Sequence, residues 1–210
     1  MKVLLVDEQG KSVTAPYIIR FPGWTEERYY KEAPREGKCE FVRGDLIIMT
    51  PMSGDHSKII KFLSFLVIGY CEAKGLGEVL PGPTIRLEPG VNREPDICFI
   101  PEEKAHLTSA MPIEVIPSFI IEVSCTTRSM DLGEKTLDYE KAGVREYWVV
   151  DIERDEVVVH LIEEGKYQKT TLETGRLEAR EIPGFYIEVD WLWQEPLPSA
   201  FECLRKLVGF

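Results

Sequence analysis

The alternation of apolar and polar residues along the chain predicts a sheet of short strands with helices laid against it. Val3-Leu4-Leu5-Val6 predicts a first strand, and Trp24–Tyr30 a helix that Thr25 is placed to cap. Cys39-Glu40-Phe41-Val42 and Leu46-Ile47-Ile48-Met49 read as a hairpin turned at Arg43-Gly44-Asp45. Ser53 or Asp55 opens a helix of roughly 55–73, apolar over most of its circumference and therefore central, and Gly75 and Gly77 end it. Strands follow at about 77–80, 84–87, 96–100 and 119–123. The last two are apolar on both faces, as strands covered on both sides are. Between them lies a loop, 101–117, marked by Pro101, Pro112 and Pro117 and long enough to be functional or mobile. A helix over Ser129–Ala142, closed by Gly143, leads to a buried strand at 146–150. Beyond Asp151 the pattern predicts antiparallel strands at 156–162, 167–172 and 186–189, then a helix near 200–207. Together these elements predict one domain over 1–210, a helix-flanked mixed sheet of the α/β or α+β class.

Two acids interrupt the apolar runs: Asp96 in Pro95-Asp96-Ile97-Cys98-Phe99-Ile100 and Glu122 in Phe119-Ile120-Ile121-Glu122-Val123. A carboxylate there has lost much of its water, which is costly unless a cation or a hydrogen-bond network compensates. Their separation, 122 − 96 = 26 residues, suits adjacent strands. Side by side they would hold Mg2+ or Mn2+ and leave positions for water and a phosphate oxygen. Each candidate also has a plainer reading. Asp96 would open its strand as a turn residue, and Glu122 would pair with an arginine elsewhere. Lys135, four residues after Asp131, would make a helical pair worth about 0.3–0.5 kcal/mol, or else reach the acids and orient the attacking water or neutralise phosphate charge. Glu40 is either a solvent-facing glutamate on an edge hairpin or a third inward carboxylate. His56, in the first turn of the long helix, reads as a capping or hydrogen-bonded group beside the site. Glu122→Ala is expected to abolish metal binding and leave the fold intact.

Composition narrows these readings. Hydrophobic residues make up 44% of the chain, ample for one core. The five cysteines are scattered without a CxxC pair, as buried thiols in a reducing cytoplasm would be, and the three dispersed histidines argue against structural zinc. No apolar run reaches membrane-spanning length, and Met1–Asp7 is too short for a signal peptide. A net charge of −11 opposes non-specific coating of nucleic acid, although a bound divalent cation reverses the local sign. Lys58, Lys61, Arg86, Arg128 and Lys141 are the residues expected to rim the site if nucleic acid binds.

Several of these segments occur in a familiar order: Glu40-Phe41-Val42-Arg43-Gly44-Asp45-Leu46, Met49-Thr50-Pro51, His56, Pro95-Asp96, Ile121-Glu122-Val123, Asp131 to Lys135, Tyr139, and Ala142 to Asp151. That order resembles the Uma-type restriction-endonuclease-like family over roughly residues 29–160. The run Gly143-Val144-Arg145-Glu146-Tyr147-Trp148 after a helix is its most specific part. The resemblance implies the PD-(D/E)XK nuclease fold, a central mixed sheet flanked by helices, and metal-dependent hydrolysis of phosphodiester bonds in DNA. It assigns Asp96 and Glu122, with Val123, to Mg2+ (or Mn2+), and Glu40 to an additional acid. The usual lysine two positions after the glutamate is Ser124 here, and the resemblance supplies Lys135 from the next helix instead. Ser124-Cys125-Thr126-Thr127 stands where similar chains carry a Ser-Pro-Ser-Thr-like loop one residue longer. The flanking segments, Met1–Trp24 and Gly165–Phe210, are expected to add strands or a homodimer surface. A catalytically silent nuclease-fold protein used for binding or assembly, and a hydrolase of small phosphoesters, are the competing classes.

Overall fold

The computed structural model describes residues 17–34, 37–49, 53–125 and 127–209, so the strand predicted at Val3–Val6 lies outside the described residues. β1 (Ile18–Pro22) leads to α1 (Glu26–Glu32), where the Thr25 hydroxyl accepts from the Arg28 N–H as its cap. β2 (Cys39–Val42) and β3 (Asp45–Met49) form the expected hairpin. Arg43 and Gly44 both take positive φ, 51° and 96°, the two-residue turn whose twist matches the paired strands. α2 (Gly54–Lys74) is capped by Ser53 and closed by Gly75 in the left-handed region. There follow β4 (Gly77–Pro81), β5 (Ile85–Glu88), β6 (Val91–Arg93), β7 (Ile97–Pro101), α3 (Glu102–Ala105) and β8 (Phe119–Ser124). The remainder is α4 (Arg128–Asp131), α5 (Glu134–Ala142), β9 (Glu146–Asp151), β10 (Glu156–Glu163), β11 (Lys166–Leu172), β12 (Arg176–Glu178), β13 (Tyr186–Glu188) and α6 (Ala200–Val208).

Two sheets result. The larger runs β11-β10-β9-β8-β7-β4, with β8 and β9 its parallel pair and α4–α5 the crossover between them. The smaller runs β1-β3-β2-β6-β5 and is antiparallel. Alternation along the central strands sorts the core into two faces. Phe119, Ile121 and Val123 pack with Phe62, Leu63 and Leu66 of α2, whereas Ile120 packs with Tyr139 of α5 and Tyr147. Burying a side chain such as Leu63 contributes about 1.5–3 kcal/mol. By the same period Glu122 shares the Ile120 face and points toward α5 and the smaller sheet.

Several expectations need correction. α2 buries one face only: Ile59, Phe62, Leu63, Leu66, Val67 and Tyr70 are buried, while Lys58, Lys61 and Phe65 face solvent. The stretch 101–117 is not one open loop, because α3 opens it and Ile113 bridges to Ile85. The helix expected over Ser129–Ala142 is two, broken at Leu132-Gly133. A Cβ at Gly133 would lie 2.5 Å from the Ser129 carbonyl oxygen, so only glycine permits this break. β1, β6 and β12 are strands that the pattern did not predict.

Candidate active site

Sheet geometry brings the two acids together. β7 and β8 pair as far as Ile97–Ile121, so Asp96 lies just before the start of β7 while Glu122 and Val123 run past that last pair. The Val123 N–H, left without a strand partner on that side, donates to Asp96 Oδ2 at 2.8 Å. Asp96 Oδ1 and Glu122 Oε2 then face one gap. A lysine ammonium spans it: Lys38 Nζ lies 2.9 Å from each. Lys38 is two residues before Glu40, so strand alternation turns both toward the site.

Behind Glu122 stands a second lysine. Lys135 Nζ donates to Glu122 Oε1 at 2.7 Å, and its ion-pair distances to Asp131 Oδ1 and Glu40 Oε1 are 3.1 and 3.6 Å. Tyr139 Oη donates to the same Glu122 oxygen at 2.9 Å. Glu40 accepts from Arg93 Nη1 at 2.7 Å and from the Glu94 N–H at 3.2 Å. Arg93 also donates through Nη2 to Asp138 at 2.6 Å. His56 Nε2 points at Asp96 Oδ2 from 3.5 Å and makes no hydrogen bond among the described residues. The network is dry: the Lys135 side chain is 1% exposed and Arg93 0%, whereas Lys38 keeps 21%.

The charges are mutually held. Burial raises the Glu40 carboxyl, but Lys135 and Arg93 outweigh it and bring its pKa down to about 2. Burial likewise raises Asp96, and Lys38 overrides it, leaving Asp96 well below the usual carboxylate range. For Glu122 burial wins over Lys135 and Lys38, and its pKa is raised. Burial lowers both lysines, yet Asp96 and Glu122 lift Lys38, and Asp131 and Glu122 lift Lys135, above the ordinary lysine value.

A family model described as Uma2, putative restriction endonuclease, matches residues 26–190. The chain belongs to the Uma2 family. Among solved structures it is similar to the crystal structure of a putative nuclease belonging to DUF820 from Anabaena variabilis ATCC 29413. The two are 16% identical with a TM-score of 0.70, over 81% of this chain and 97% of that one. The likeness shows the fold, the helix-flanked mixed sheet of a restriction-endonuclease-like core. No curated protein matches the sequence.

In this Uma2 chain the structure brings Glu40, Asp96, Glu122, Lys135 and His56 to one place. Glu40 is fully buried, not solvent-facing, because β3 and β6 flank β2 on both sides. Glu122 is not the uncompensated acid that its apolar neighbours imply; two ammonium groups and a phenol hold it. Lys38 and Arg93 were not singled out from sequence. For Lys38 the available signal is its two-residue spacing from a buried glutamate. Among the described residues, four of the five cations expected at a rim, all but Lys61, are already paired. Lys58 contacts Asp55 at 2.8 Å, Arg86 contacts Glu26 at 2.9 Å and Glu114 at 3.1 Å, Arg128 contacts Asp151 and Glu156, and Lys141 contacts Glu88. Among the described residues no three His, Cys, Asp or Glu side chains converge as a ready metal cage. Nor is any described helix long and apolar enough to cross a membrane.

Proposed function

We propose that this chain is a nuclease that hydrolyses phosphodiester bonds in DNA with Mg2+ or Mn2+ held at Asp96 and Glu122. The observation that carries the reading is the pair of buried carboxylate oxygens, Asp96 Oδ1 and Glu122 Oε2, facing one gap and sharing one cation at 2.9 Å each. Hard oxygen donors in that arrangement suit a small divalent cation. The Val123 N–H already faces Asp96, and a strand residue presents its carbonyl on the same edge as its N–H. We therefore add the Val123 carbonyl to the set, which brings in an oxygen beyond the two side chains.

When bound, the cation supplies charge neutralisation at the phosphate and lowers the pKa of a bound water. The chain's own groups prepare the place. Lys135 and Tyr139 take Glu122 Oε1 and thereby keep Oε2 turned to the gap. Lys135 is thus a positioning residue, too buried to meet a substrate directly. Glu40 and Asp131 hold Lys135 from behind, with Arg93 anchoring Glu40. His56 Nε2 stands 3.5 Å from Asp96 Oδ2. The reading extends to a two-fold homodimer, which would offer one centre to each strand of a duplex, and to the cytoplasm, supported by five free thiols.

The paired state of Lys58, Arg86, Arg128 and Lys141, with a net charge of −11, favours a second reading: a silent nuclease-fold module for binding or assembly. Nicking of supercoiled plasmid decides between them. With Mg2+ or Mn2+ the wild type is expected to convert supercoiled to open-circular DNA. Asp96→Asn is expected to lose about 10²–10³-fold or more, the scale on which one charge-stabilising group acts. No cleavage with either metal supports the silent module, unless small phosphoesters are hydrolysed instead.

A further inference from the structure

Lys38 differs from every other member of the site in how it is tethered. Its backbone is fixed on both sides: its carbonyl accepts from the Met49 N–H at 3.1 Å, and the next N–H, of Cys39, donates to Glu94 Oε2 at 3.0 Å. Its side chain is a flexible four-carbon stem that reaches into the gap from the solvent side and remains 21% exposed. Asp96 and Glu122, by contrast, are 5% and 1% exposed and rigidly held. An ammonium 2.9 Å from both carboxylates occupies the position that a Mg2+ ion, which needs oxygens at about 2.0–2.1 Å, would take. Two cations cannot share that pair of oxygens. Without any cation, two buried carboxylates would face each other uncompensated, a costly state.

We infer that Lys38 is a tethered internal cation that fills the Asp96–Glu122 seat in the metal-free protein and withdraws toward solvent when a divalent cation enters. This rests on the reading of the site as a metal centre and adds to it: the centre is masked until loaded, and its metal affinity is set by competition with one lysine. Lys135 does not yield in the same way, because Asp131 and Glu40 retain it and its side chain is buried.

Calorimetric titration of Mn2+ into the full chain tests this with wild type, Lys38→Met and Asp96→Asn. Removing a resident competitor is a linkage effect, so Lys38→Met is expected to bind Mn2+ about tenfold or more tightly than wild type. It is also expected to melt lower without metal and recover with it, while Asp96→Asn does not bind Mn2+. Labelling of wild-type lysines with an amine-reactive acetylating reagent, read by mass spectrometry, is expected to accelerate at Lys38 when Mg2+ is added. Wild-type binding with equal or weaker binding by Lys38→Met overturns the competition while leaving the metal centre standing. Absence of Mn2+ binding in both proteins overturns the metal centre, and the competition with it. Should Lys38→Met fail to fold, Lys38 labelling unchanged by Mg2+ overturns the proposal on wild type alone.

Discussion

Arg93→Met is expected to destabilise the protein by about 3–5 kcal/mol, the scale on which breaking a buried ion pair acts. Arg93 is fully buried and donates hydrogen bonds to two carboxylates, Glu40 at 2.7 Å and Asp138 at 2.6 Å, with Glu134 farther off at 3.7 Å. Methionine fills much of the same volume but leaves both acids in a dry layer with fewer partners. Glu40 would retain Lys135, at 3.6 Å, and Asp138 would retain Arg43, so the layer would be weakened and not emptied of cations. A domain usually has only about 5–15 kcal/mol to lose, so the effect would dominate a urea denaturation curve. Adding Glu40→Gln and Asp138→Asn to Arg93→Met is expected to recover part of the loss, because the unpaired charge, and not the missing side chain, carries most of the cost. A loss below about 1 kcal/mol, the range of a surface pair, would contradict this account of the polar layer.

Glu122→Ala is expected to lose stability as well as metal binding, contrary to the expectation drawn from its apolar neighbours alone. That expectation supposed an uncompensated acid whose removal is harmless. The structure places Lys38 and Lys135 on its two oxygens, at 2.9 and 2.7 Å, so alanine leaves two ammonium groups without their shared partner. The cost is again about 3–5 kcal/mol. Glu122→Gln is expected to fall between wild type and alanine in melting temperature, since an amide oxygen still accepts from Lys135 or Tyr139. Burial raises the Glu122 pKa, so a neutral side chain also escapes part of the desolvation that the carboxylate bears. Both variants are expected to fail to bind Mn2+ in a calorimetric titration. An alanine variant that melts with wild type would show that the two lysines are not held through Glu122.

Sequence patterns revealed the parts of this fold that depend on neighbours in the chain. The hairpin needed only two β-prone runs around Arg43-Gly44, and the ends of α2 needed only Ser53 and Gly75. Asp96 and Glu122 stood out because a charge inside an apolar strand is anomalous wherever it occurs. β6 was hidden for the opposite reason. Val91-Asn92-Arg93 looks like a polar connection, and it is a buried strand only because Glu26 accepts from Asn92, while Glu40 and Asp138 neutralise Arg93 from 53 and 45 residues away. Lys38 is the same case. Its partners lie 58 and 84 residues along the chain, and no local pattern separates a lysine before a hairpin from a solvated one. The break between α4 and α5 was missed because Gly133 is tolerated within a helix; its necessity comes from the Ser129 carbonyl packed against it.

The central claim is that the gap between Asp96 and Glu122 is the cation seat of a phosphodiester-cleaving centre. Crystals grown with Mn2+ and measured for anomalous scattering test it most directly. The account predicts a manganese peak within coordinating distance of Asp96 Oδ1 and Glu122 Oε2, with the Lys38 ammonium displaced from between them. Lys38 still bridging the two carboxylates at saturating Mn2+, or a peak bound elsewhere on the molecule, would contradict it.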